Sequence, residues 1–161
     1  MTSFIGHLSL GFIASRILKT NRSETLLLLI MSILPDFDTL FCFTGVLPWS
    51  FHRTVTHSLL FILAISFLLF LVKNKRFGYL CFTGLILHVL LDCCDSLGVP
   101  IFYPLPFRLA VGLWMPVYIT LSGGFLREDL IPDYGLLLIV IVIELYKNIK
   151  KNISKSEIQN Q

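Results

Sequence analysis

The sequence predicts an all-α integral membrane protein, a bundle of about five short helices. Three observations carry this. The 161-residue chain is 55% hydrophobic and has a mean hydropathy of +0.81, whereas a soluble domain is about 45–50% apolar. Its apolar residues fall into five runs divided by polar connections. The ionisable residues are sorted, with basic groups in alternate connections and the histidines and most carboxylates between them.

The first predicted helix covers residues 4–18 and the second residues 25–34. The third covers residues 58–72, the fourth 77–91 and the fifth 134–146. Each is shorter than the roughly 20 residues of a full span. Either the helices are partly sunk or polar flanks complete the crossing. Pro35 disfavours continued helix at Leu34, so Asp36 and Asp38 of "LPDFD" follow the second helix directly. A sixth apolar stretch, "LAVGLWMPVYITL", is broken by Gly112 and Pro116 and reads as a re-entrant segment, an interfacial segment or a hairpin. Residues 1–147 form one expected membrane-embedded domain, followed by a basic polar tail at 148–161. The start, "MTSFIGHLSLGF", lacks the basic region of a secretory signal and reads as retained.

All Lys and Arg residues except Arg53, Arg108 and Arg127 lie in or beside three connections, after the first, third and fifth helices. Positive charge near short loops marks the cytoplasmic side. If every helix crosses, the amino terminus faces out and the tail faces in. The formal charge of +3, with no basic stripe, excludes a nucleic-acid partner from the expected set. The expected partner is the lipid bilayer; the oligomeric state is left open. The cysteines, Cys42, Cys81, Cys93 and Cys94, have no zinc-ribbon spacing and read as small buried apolar residues.

The opposite, non-cytoplasmic end collects His7, Asp36, Asp38, His52, Arg53, His57, His88, Asp92 and Asp95. His88 and Asp92 in "HVLLD" are four apart, so they share one helix face. His7 shares a face with Gly11, and Gly84 precedes His88 by one turn. Small residues let membrane helices approach closely, so the first and fourth helices are expected to touch and bring His7 to His88. Taken singly, these groups also read as a hydrogen-bonded core histidine or a solvated helix end. Gathered together, the aspartates repel unless a cation neutralises them. Imidazole with carboxylate suits zinc, manganese or iron better than magnesium or calcium. Zinc is the first expectation, as one ion or two, at one end of the bundle. Arg53 would hold a substrate anion, orient an aspartate, or snorkel at the surface.

The motifs "LPDFD", "HRTVTHS" and "HVLLDCCDSLGVPIFYPLPF" resemble those of bacterial membrane-bound metal-dependent hydrolases, a group that includes an inner-membrane protein of the DNA-damage (LexA) regulon. The resemblance runs over residues 7–107. It implies that His7, Asp36, Asp38, His52, His57, His88 and Asp92 occupy the family's polar motif positions. The expected activity is hydrolysis of an ester or phosphoester of a lipid or lipid-linked substrate by metal-activated water. His7, Asp36, His57, His88 and Asp92 are the expected ligands, and His52, Arg53 and Asp38 the expected catalytic groups. The alternative is a non-catalytic metal-binding or ion-handling membrane protein. The nearly chargeless runs "LLLLIMSIL" and "LLFILAISFLLFLV" favour a site over an ion path.

Overall fold

Polar residues between the apolar runs act as helix caps and fix where each helix starts. In the computed structural model, which describes residues 4–94, 98–111 and 131–159, helix α1 runs Phe4–Ile17 and ends in a turn through Lys19. Asn21 then opens α2 (Arg22–Ile33) with a capping box: its side chain accepts from the Glu24 N–H while Glu24 reaches back to the Asn21 N–H. Pro35 ends the α-helical hydrogen bonding as expected. Leu34–Phe37 form a 3-10 turn, which α3 (Asp38–Phe43) continues. Two short 3-10 turns, Trp49–Phe51 and Val55–His57, lead to α4 (Leu59–Val72), capped by Ser58. Asn74 caps α5 (Lys75–Cys93). Helix α6 spans Ile131–Gln159.

All five predicted helices are present, with shifted ends, and α3 is an addition. The largest shift is in α6, which runs through 148–159 where a polar tail was expected. That segment holds lysines with Ile149 and Ile153 at helical spacing and no proline or glycine; nothing in it breaks a helix. The stretch 112–121 lies outside the described residues.

The helices pack in the neighbour order α4–α5–α2–α1–α6, with α1 also reaching α5. Two glycines set the spacing. A Cβ at Gly11 would sit 2.6 Å from Ser32 Oγ and 3.3 Å from the Leu28 carbonyl oxygen. A Cβ at Gly84 would sit 2.7 Å from Met31 Cβ and 3.1 Å from that same oxygen. The glycines therefore seat α1 and α5 on either side of one turn of α2; α1 and α5 also touch, as expected, but the two glycines meet α2 and not each other. Ile62, Cys81, Leu85, Val89, Cys93 and Val99 form the core between α4 and α5. Cys42 is also buried, Cys94 half-buried, and all four cysteines are free.

Arg22–Phe43 and Lys75–Cys93 are long and apolar enough to cross a membrane. A third crossing follows if Trp49–His57 and Leu59–Val72, bent by 48°, count as one span. Helix α1 is shorter. Leu60, Leu63, Phe67 and Leu71 on α4 are all at least half exposed, a patch that suits lipid rather than water. At the basic end, Arg76 binds Glu24 and the Leu18 carbonyl, tying α5 to α2 and α1. Arg16 pairs with Glu144 of α6 at 2.8 Å.

The packing predicts opposite outcomes for two glycines. Gly84→Ala forces α2 and α5 apart and should cost about 1–3 kcal/mol, as overpacking does. Gly135→Ala on α6 meets open space and should be neutral or stabilising by up to about 1 kcal/mol. Thermal unfolding in detergent checks both; equal melting temperatures for the two variants would count against this packing.

Candidate metal centre

Four elements deliver polar groups to one point. The 3-10 turn after α2 carries Asp36, and the 3-10 turn before α4 carries His57. Helix α5 carries His88 and Asp92 on the one face that their spacing predicts. Helix α1 carries His7. The Ser58 cap and the contact of the Leu59 N–H with the Ile101 carbonyl, at 2.7 Å, hold the mouth of α4 in place. Ile101 belongs to a turn closed by paired hydrogen bonds between Val99 and Leu109.

His57 Nε2, His88 Nε2, one Asp36 oxygen and one Asp92 oxygen lie within 4.8 Å of one another. The two Nε2 atoms are 3.1 Å apart. Asp36 Oδ1 is 3.5 Å from each. Asp92 Oδ2 is 3.3 Å from His57 Nε2 and 3.5 Å from His88 Nε2. Four donors around a small cation, at bonds of about 2.0–2.2 Å, stand about 3.3–3.6 Å apart in a tetrahedron. The five spacings that involve a histidine nitrogen are close to that size.

Hydrogen bonding on the far side of each ring decides what faces inward. His88 Nδ1 lies 2.7 Å from the Ser32 carbonyl oxygen. A carbonyl only accepts, so Nδ1 carries the proton. Thr56 Oγ1 donates to Asp38 Oδ2 at 2.9 Å. Its oxygen therefore accepts from His57 Nδ1, 3.0 Å away. In their neutral forms both rings thus turn a bare Nε2 lone pair inward. Two lone pairs at 3.1 Å, flanked by two carboxylates, form a group that could hold a positive charge, as a proton or as a metal ion. A proton on one ring closes one contact, whereas a divalent cation satisfies all four donors. Outer partners of this kind are what orient ligating histidines.

The other predicted residues surround this set. Asp38 is not in it: its carboxylate accepts from His52 Nδ1 at 2.7 Å, the Arg53 N–H at 3.2 Å and Thr56. Arg53 is buried, not snorkelling, and its Nη2 is 2.9 Å from Asp92 Oδ1. Its φ of 61° is a left-handed conformation that non-glycine residues adopt at a cost of about 1–3 kcal/mol. That conformation lets one residue bind Asp38 through its backbone and Asp92 through its side chain. His52 Nε2 is buried with no hydrogen-bond partner. The His52 ring stands edge-on to His57, with centroids 5.5 Å apart. His7 does meet His88, ring on ring at 3.8 Å. It faces the oxygens that the four-donor set does not use: Asp92 Oδ1 at 3.5 Å and Asp36 Oδ2 at 3.8 Å.

Thr56 is the working residue that sequence reasoning passed over, although it stands inside "HRTVTHS" beside His57. Asp133 was passed over as well; it is buried against Gly6, next to His7. Asp95, Arg127 and Glu128 lie outside the described residues.

The relay through Thr56 predicts a graded series. Thr56→Val keeps the shape but removes the oxygen between His57 and Asp38. Metal affinity should fall about 10–100-fold, as loss of an outer partner does. Asp92→Ala and His88→Ala should abolish high-affinity binding. A competition titration with a metal-sensitive dye reads all three, and wild-type affinity in Thr56→Val would remove the relay from the account.

The sequence model of the YdjM inner membrane protein family matches residues 1–150. No curated protein and no solved structure matches the chain. The family description names a location, not a reaction. The match takes in every residue of the centre, from His7 to Asp92, together with both candidate spans. The chain belongs to the YdjM inner membrane protein family.

Proposed function

We propose that this protein is a membrane-embedded, metal-dependent hydrolase that cleaves an ester or phosphoester of a lipid or lipid-linked substrate with metal-activated water. The observation that carries this reading is His52. Its Nδ1 is held by Asp38, its Nε2 has no hydrogen-bond partner, and it is buried beside His57 of the donor set. A metal bound only for structure or storage has no need of such a base.

Zinc accepts two imidazoles and two carboxylates and can expand to five-coordinate to take a water as well; manganese and iron accept the same donor types. A divalent ion held by Asp36, His57, His88 and Asp92 would lower the pKa of a bound water and polarise the scissile bond. The chain's own groups handle the rest. His52 Nε2 takes the proton from the attacking water and returns it to the leaving oxygen. Asp38 keeps the His52 proton on Nδ1 and stabilises the imidazolium that forms. Arg53 holds Asp92 in register and adds positive charge where a phosphate would develop negative charge.

The surroundings support a lipid substrate. Phe37, Phe41, Phe43, Trp49, Phe102 and Phe107 are exposed around this end of the bundle. Exposed aromatics gather where a membrane meets water. The basic connections lie at the other end, which under the positive-inside rule supports a centre on the non-cytoplasmic side.

Two measurements test the proposal. His52→Ala should keep its metal and lose about 10²–10⁴-fold in turnover, in a screen of esters and phosphoesters on detergent-purified, zinc-loaded protein. Absence of any hydrolysis by the wild type would leave a metal-binding membrane protein without catalysis. For sidedness, single cysteines at Asn74 and Ser50 in a cysteine-free background should label from opposite faces of the membrane. Labelling of Asn74 from outside intact cells would reverse the orientation.

A further inference from the structure

We infer that a second metal subsite adjoins the first, formed by His7 Nε2, Asp36 Oδ2 and Asp92 Oδ1, so that Asp36 and Asp92 bridge two divalent ions. The inference rests on the metal reading of the first site and extends it. Each carboxylate is shared in the same sense. Asp36 Oδ1 and Asp92 Oδ2 face His57 and His88. Asp36 Oδ2 and Asp92 Oδ1 face His7, at 3.8 and 3.5 Å.

His7 itself is the independent observation. It is 1% exposed, and neither ring nitrogen has a hydrogen-bond partner. A buried imidazole with both nitrogens unsatisfied is costly and uncommon. Here its Nε2 is aimed between two carboxylate oxygens, at distances too long for hydrogen bonds but suited to a shared cation. The His7 ring stacks on His88 with centroids 3.8 Å apart and planes 18° from parallel. Paired metals in hydrolytic sites stand about 3.5–4 Å apart, so adjacent stacked imidazoles can each serve one ion.

Arg53 does not exclude the second ion. It binds Asp92 Oδ1, and a carboxylate oxygen has more than one lone pair, so it can accept a hydrogen bond and ligate an ion together. The charges then select the substrate. Two divalent ions and Arg53 bring five positive charges against four from Asp36, Asp38, Asp92 and Asp133. A phosphate-bearing substrate offsets the remaining positive charge and a neutral ester does not, so the second subsite favours phosphoester hydrolysis.

The test counts ions on the full-length protein in detergent, loaded with manganese and desalted. Elemental analysis should find two per chain in the wild type and one in His7→Phe, which keeps the stack on His88 but has no donor. His7→Leu serves as a second variant. Electron paramagnetic resonance should show exchange-coupled manganese in the wild type and an isolated ion in either variant. One ion per wild-type chain would overturn the second subsite and leave the first standing. No ion would overturn both. Two ions in a folded His7→Phe or His7→Leu protein would remove His7 from the site.

Discussion

Two carboxylates, Asp36 and Asp92, are buried side by side against three imidazoles at one end of an apolar bundle. Unpaired charge in such a place is prohibitively costly, and like charges so close repel. Much of that end answers this constraint. Arg53 adopts a left-handed backbone to reach Asp92. Asp38 gathers His52, the Arg53 N–H and Thr56. His57 and His88 are each anchored on the far nitrogen so that the near one faces inward. A positive charge at the centre, whether a proton shared by the two rings or a metal ion, makes these choices mutually consistent.

The middle of the bundle makes that geometry reachable. Leu28 is fully buried, and the glycines of α1 and α5 both rest on its carbonyl. Because α1 and α5 approach the same turn of α2, His7 and His88 arrive above it at stacking distance. Ser32, one turn further along α2, accepts the His88 Nδ1–H hydrogen bond on its carbonyl. A helix packed this tightly works as a ruler: it fixes the depth of two histidines that are far apart in the chain.

The two ends of the molecule are built on different physics. At the basic end, exposed or half-exposed pairs such as Arg76–Glu24 and Arg16–Glu144 tie helices together where water still screens charge. At the other end the charges are dry, so each must find a partner. Electrostatics are stronger in such a place, which makes it the end suited to chemistry.

The sequence by itself determined the fold class, the helices and the gathering of histidines and aspartates at one end. Those follow from hydropathy, from caps and prolines acting over a few residues, and from alternation along a threaded chain. It also determined the pairing of His88 with Asp92, since one helical turn brings them together. Only the tertiary structure decided which oxygen of each aspartate faces which histidine, and that Asp38 supports the centre from outside. It alone showed that Arg53 is buried against Asp92, that Thr56 orients His57, and that Gly11 and Gly84 meet α2 rather than each other. These depend on contacts across tens of residues and on the rotation of helices about their axes. The nearly uniform apolar surface of α4 and α5 carries no stripe from which that rotation could be read. The length of α6 lay between the two: its residues permit a long helix, but a polar composition does not announce one.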